Sequence, residues 1–194
     1  MKDLSSFLAE VAESRRAAQA AERSGFVLHP GLVLPEALEV TLRHRFLLSP
    51  VLARSRLAAR SASAGVASCH REQIEFWFAR YGEDANWLLE TGEESGVVSL
   101  EIDLRLARQS LAYLAGDDPS WQHSLRFTTG SRWHVLFEYA SGLPQFRGYP
   151  GLFLHAGNSI LVPPSRTPSG IELVYADPHA PLLSADWLRR AGKT

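Results

Sequence analysis

The stretch Val97-Val98-Ser99-Leu100-Glu101-Ile102-Asp103 decides how this chain is read. Val98, Leu100 and Ile102 alternate with Ser99, Glu101 and Asp103, the period of two that a strand imposes on its side chains. Side chains two apart share a face and lie about 6.5–7 Å apart along the strand. Glu101 and Asp103 therefore point the same way, off the face opposite the apolar stripe. Two carboxylates so placed suit hard divalent cations such as Mg²⁺ or Mn²⁺, which prefer oxygen ligands and share sites with phosphates. Two acids facing solvent from a half-exposed sheet is the plainer alternative, and spacing alone leaves both open.

Working downstream, Leu104 to Leu114 reads as helix, closed by Gly116-Asp117-Asp118-Pro119. Strands are expected at 124–129, 132–139, 151–155, 159–163 and 171–175, then a short helix from Ser184 to Arg190. Upstream, Trp87 to Leu89 reads as a short strand and Arg71 to Tyr81 as a helix with a bulky buried face. The first 24 residues read as helix, and Phe26 to Leu34 as a strand broken by Pro30-Gly31. A helix is expected from Pro35 to about Phe46, a break at Ser49-Pro50, and another helix from Val51 to Arg60. The Ser-Ala-Ser-Ala-Gly run at 61–65 is a loop. Helices first and strands later predict an α+β fold, a mixed or antiparallel sheet flanked by helices with a helical N-terminal part. Residues 1–68 are expected to pack as a helical, arginine-rich part on a core formed by 69–194, one domain overall.

Composition narrows the function classes. The 194 residues are 45% hydrophobic and 21% charged, ordinary for a globular protein. The single cysteine, Cys69, excludes an internal disulfide framework and a multi-thiolate zinc site, so no zinc is expected. No apolar run is long enough for a membrane span, and the opening Met1-Lys2-Asp3 is not read as a secretory leader. A cytoplasmic location is expected. The net charge of -1 announces no nucleic-acid binder, but Arg43, Arg45, Arg54, Arg56, Arg60 and Arg71 occur between Val40 and Arg71 without one Asp or Glu. Such a segment either faces phosphates, which the guanidinium fork suits, or is a solvated helix face.

Two further segments carry candidate chemistry. Thr129-Gly130-Ser131-Arg132-Trp133-His134 leads into a strand on which His134 and Glu138 share a face by parity. Gly157-Asn158-Ser159-Ile160-Leu161-Val162-Pro163-Pro164-Ser165-Arg166, followed by Pro168-Ser169-Gly170, is an apolar strand stopped by two prolines and a polar turn. Taken singly, the first reads equally as a structural histidine and the second as an ordinary turn.

In order and spacing, these pieces resemble the primase–polymerase (prim-pol) domain of the archaeo-eukaryotic primase superfamily, from about Cys69 to Trp187. Arg71 to Trp77 looks like the helix before the first sheet strands, and Ala85 to Gly92 with Ser95 to Val98 like the next segment. Leu100-Glu101-Ile102-Asp103 stands where the family has paired metal-binding carboxylates. Gly130 to His134 is similar to the stretch ending in the histidine that contacts the incoming nucleotide's phosphates, and Gly157 to Gly170 to the Pro-Pro-Ser signature. The resemblance implies a DNA primase or polymerase of DNA replication, transferring nucleotides from NTP or dNTP to a 3′-hydroxyl on a template. It implies Glu101 and Asp103 as ligands of Mg²⁺ or Mn²⁺, His134 as a catalytic residue, and Ser131, Arg132, Ser165 and Arg166 as phosphate contacts. It also implies single-stranded DNA or primer-template as partner, with a helicase acting in trans and no membrane.

The sequence departs from the family in three places, the first being Glu101, where the pair more often begins with Asp. Aligned on Gly157-Asn158 and Pro163-Pro164-Ser165, the third acid falls on Leu152 and its polar companion on Leu154. Glu138 or His155 are the substitutes within reach. The basic stretch many members carry near the N-terminus is absent, and Arg43, Arg45, Arg54, Arg56 and Arg60 are the candidates to replace its charge on DNA. The competing expectation is a degenerate domain that binds nucleotide or single-stranded DNA, or acts as an adaptor, without catalysis.

Overall fold

The structure is a computed structural model that describes residues 32–52, 67–82, 85–115, 119–146, 149–167 and 169–191. By its contacts the chain divides into two units, Met1–Val33 and Leu34–Thr194, and the second carries every element below. Among the described residues these are α1 (Glu36–Arg43), β1 (Leu48–Leu52), α2 (Arg71–Tyr81), β2 (Ala85–Glu90), β3 (Val97–Asp103), α3 (Arg108–Ala115), β4 (Arg126–Thr128), β5 (Arg132–Glu138), β6 (Leu152–His155), β7 (Ser159–Val162), β8 (Val174–Tyr175) and α4 (Asp186–Ala191). The expected N-terminal helix, most of the Phe26–Leu34 strand, the 61–65 loop and Asp117-Asp118 lie outside the described residues.

The fold is α+β, as expected, but its strands form two antiparallel sheets instead of one: β1-β2-β7, and β6-β3-β5-β4-β8. Two elements also differ from expectation. The break expected at Ser49-Pro50 and the first two residues of the helix expected over Val51 to Arg60 belong instead to β1, which pairs Pro50 with Trp87 and Leu52 with Ala85, while residues 53–60 lie outside the described residues. β1 is an edge strand, where a proline's missing N–H costs no ladder bond. The expected helix from Leu104 begins only at Arg108, because Leu104 to Leu106 form a turn in which Leu106 and Ala107 donate N–H groups to the Asp103 carbonyl.

The two faces of β3 look into two cores. Val98, Leu100 and Ile102 pack with Val135, Phe137, Leu152, Phe146, Trp187 and Leu188. On the other face Val97, with Leu136 and Phe127 of the neighbouring strands, joins Trp87, Leu89, Ile160 and Val162 of the three-stranded sheet, along with Leu38 and Trp77 of the helices. All seven residues of β3 are consequently buried, the polar ones included. The half-exposed sheet considered above does not exist.

Candidate functional site

Register assembles the site. β3 pairs Glu101 with His134 and Asp103 with Arg132 on β5, and on its other side Glu101 with Phe153 and Ser99 with His155 on β6. Directly paired residues share a face, so Ser99, Glu101, Asp103, Arg132, His134, Phe153 and His155 all look the same way. Glu101 and Asp103 are 7% and 6% exposed, and His134 is 6% exposed.

Burying acids is costly unless they are paired, and here they are. Arg132 Nη1 donates to Glu101 Oε1 at 2.6 Å, and its Nε lies 3.9 Å from Asp103 Oδ2. His155 Nε2 is 2.9 Å from Glu101 Oε2. Asp103 Oδ1 accepts the backbone N–H of Arg105 at 3.0 Å, which holds the 104–106 turn over the strand end. The hydrogen bond with His155, helped by the charge of Arg132, holds the Glu101 carboxyl below the usual carboxylate range. His134 stacks flat on Phe127, with ring centroids 4.8 Å apart, and its Nδ1 lies 3.4 Å from Ser99 Oγ. Burial pushes its pKa down to about 4 despite the nearby Glu101, so the ring is neutral at pH 7.

One ligand atom each from Glu101, His134 and His155 lies within 4.8 Å of the others, so these three can hold a metal ion together. Asp103 stands beside that group, turned toward Arg105 and Arg132. The resident cation implied by the sequence thus meets a donor set of carboxylate and imidazole, chemically able to take a divalent ion. Arg132, Arg105 and Ser131 rim the group: Arg105 Nη2 is 3.3 Å from Ser131 Oγ, and Ser131 accepts the N–H of Leu104 through its backbone carbonyl.

Other candidates are placed elsewhere. Ser165 is fully buried, and its Oγ accepts the N–H of Trp87 at 2.7 Å and donates to the Trp87 carbonyl. It tethers the turn after β7 to β2. Arg166 is exposed, and its backbone N–H and carbonyl are both held by the side chain of Asn86. Arg166 forms a β-bridge with Glu172, and in the loop between them the Ile171 side chain packs on Gly130. Glu138 is exposed and pairs with Val97 at the far end of β3, four residues from Glu101. Arg43 and Arg45 are exposed around the end of α1, where Arg43 donates to the Pro178 carbonyl. Arg54, Arg56 and Arg60 lie outside the described residues. Arg71 is taken by Glu39 and Glu75.

The alignment that put Leu152 and Leu154 at the third acid is corrected by register. Leu152 pairs with Ile102 and Leu154 with Leu100, both on the opposite face. The β6 positions that share the site's face are Phe153, 55% exposed, and His155. Sequence reasoning missed Arg105, Phe153 and Asn158, whose Nδ2 is 3.1 Å from His155 Nδ1. Only Asn158 had a local signal, its place in a Gly-Asn turn three residues after His155.

A buried carboxylate and imidazole beside the half-buried His155, under a rim of guanidinium groups, have the chemistry to take a cation and a polyanion side by side. The sequence matches the family described as bifunctional DNA primase/polymerase, N-terminal (Prim-Pol) over residues 17–187. The chain belongs to that family, whose substrates are nucleotides and DNA and whose members are typically metal-dependent. No curated protein matches it. No described helix is long and apolar enough to cross a membrane.

Proposed function

We propose that the chain is a metal-dependent nucleotidyltransferase of DNA priming or extension, adding nucleotides from NTP or dNTP to a 3′-hydroxyl on a DNA template in the cytoplasm. The observation that carries this is the pair of Glu101 and Asp103, buried on one face of β3 directly opposite His134 and Arg132. A solvated pair of acids needs no such enclosure, whereas a phosphoryl-transfer site needs low dielectric and held charge.

Glu101 would hold Mg²⁺ or Mn²⁺, with Asp103 beside it and His134 and His155 lining the same pocket. When bound, the ion supplies charge neutralisation on the triphosphate and its leaving pyrophosphate and acidifies the attacking hydroxyl. Arg132 releases Glu101 and turns its fork to a phosphate, a move its half-exposed side chain permits. Arg105 and Ser131 meet the triphosphate at the same rim, and Arg166 adds charge from the neighbouring loop. Neutral His134 contributes a hydrogen-bonding nitrogen without adding a cation that would repel the metal.

Primer extension on templated DNA, with Mg²⁺ and Mn²⁺ in parallel, tests the reading. Extension by the wild type that the Glu101→Ala/Asp103→Ala double variant loses supports it. Absence of extension with either metal, at concentrations that bind the substrate, refutes catalysis. One observation favours a second reading, a domain that binds single-stranded DNA or nucleotide without chemistry: Phe153 stands opposite Glu101 where a third acid would share its face. An exposed aromatic ring there can stack a base. DNA binding that persists in the double variant, without extension by wild type, would select this reading.

A further inference from the structure

We propose that Glu101, His134 and His155 form a mixed nitrogen–oxygen site for a first-row transition-metal dication, in the Mn²⁺-to-Zn²⁺ range, in preference to Mg²⁺. This deepens the reading of the same face as metal-dependent, and rests on it only for the ion's use in catalysis. Two of the three ligand atoms are imidazole nitrogens. Mg²⁺ demands oxygen donors and keeps its waters, whereas imidazole affinity rises along the first-row series from Mn²⁺ toward Cu²⁺ and Zn²⁺. A site of two imidazoles and one carboxylate therefore selects a different ion from a site of carboxylates alone. It also moves the binding point away from Asp103, which is turned toward Arg105 and Arg132.

The surrounding contacts prepare the ligands. A carboxylate oxygen and an imidazole nitrogen both accept, so the 2.9 Å contact between Glu101 Oε2 and His155 Nε2 holds a proton between them. A dication takes that proton's place. His155 then carries its proton on Nδ1, and the Asn158 amide, whose Nδ2 lies 3.1 Å from that atom, accepts the proton once it turns its oxygen inward. The Phe127 stack fixes the plane of His134, and Ser99 engages its Nδ1, which leaves Nε2 for the ion. Bonds of about 2.0–2.2 Å to one ion draw the three atoms in to roughly 3–3.5 Å from one another. Arg132 opposes the ion, because it already neutralises Glu101. The charged groups facing the site are thus Arg132, Arg105 and Asp103. The assignment puts His134 on the ion and leaves the phosphates to Arg132, Arg105 and Ser131.

The test is Co²⁺ titration of the full chain without nucleotide or DNA, followed by the visible d–d bands of the ion and by calorimetry. One equivalent of Co²⁺ is expected to bind with intensified bands, unaffected by a hundredfold excess of Mg²⁺ and displaced by Zn²⁺. His155→Ala is expected to weaken Co²⁺ binding at least tenfold. His155→Asp is expected to restore ion binding but make Mg²⁺ an effective competitor. Circular dichroism confirms that each variant is folded. Wild-type bands matching free aqueous Co²⁺, ready displacement by Mg²⁺, or unchanged binding in folded His155→Ala would each overturn the proposal. Co²⁺ binding as expected with no primer extension would sustain the ion site and refute the polymerase reading instead.

Discussion

His134 is the residue whose burial has the clearest measurable consequence. It is neutral in the folded chain, with its pKa at about 4, while in the unfolded chain it takes up a proton near pH 6.5. Between those values the unfolded state binds more protons, so stability falls as pH drops from about 6.5 toward 4. The shift corresponds to at most about 3 kcal/mol, and Glu101, held low by His155, adds loss in the same direction at the acid end. Chemical denaturation of the metal-free chain across pH 4–7 is expected to show this slope, reduced in His134→Gln. Equal slopes in the two proteins would contradict it. Ser165 makes the opposite kind of claim, since both its hydrogen bonds go to the Trp87 backbone. Ser165→Ala should cost about 1–3 kcal/mol by stranding those buried groups, lowering the melting temperature while leaving nucleotide affinity unchanged in the cold. A selective loss of nucleotide affinity would return Ser165 to the phosphates.

At the level of elements, β3 was legible because Val98, Leu100 and Ile102 keep strict alternation across a strand whose two faces meet different surroundings. That its polar face is also buried was not legible, because its partners Arg132, His134 and His155 come from strands distant in sequence. β1 was hidden by Pro50, whose usual meaning as a breaker lapses at a sheet edge. The third-acid position failed for a subtler reason. Counting back from the Pro-Pro-Ser turn assumes a fixed length for the β6–β7 connection, and a slip of one residue in β6 exchanges its two faces. Phe153 and His155, not Leu152 and Leu154, therefore stand over the site. The start of β6 is itself pinned by Gly151, whose φ of 76° leaves a Cβ 2.7 Å from the Ala107 nitrogen. Gly151→Ala should cost about 2 kcal/mol or more through strain and clash. It should also weaken metal binding, because β6 carries His155. A melting temperature equal to wild type would contradict this.

For the molecule as a whole, a net charge of -1 coexists with a site rimmed by Arg105 and Arg132. DNA binding then depends on where the arginines lie, not on their sum. Single-stranded DNA affinity is expected to fall with rising salt, with a log–log slope of about -0.7 per phosphate contacted. The Arg43→Ala/Arg45→Ala double variant should flatten that slope by about 1.4 if α1 and its C-terminal turn lie on the DNA path. An unchanged slope would leave those two arginines as solvated surface. The pairing of β3 with β5 and β6, not any single motif, buries Glu101 among His134, Arg132 and His155, and that pairing joins strands distant in sequence.

The most direct measurement is anomalous diffraction from crystals grown with Mn²⁺ and a non-hydrolysable nucleoside triphosphate. The expected result is an Mn²⁺ peak bonded to the Glu101 carboxylate, with the triphosphate running from that ion toward Arg132 and Ser131. A nucleotide bound elsewhere, or a face of β3 with no anomalous peak at saturating Mn²⁺, would contradict the account at its centre.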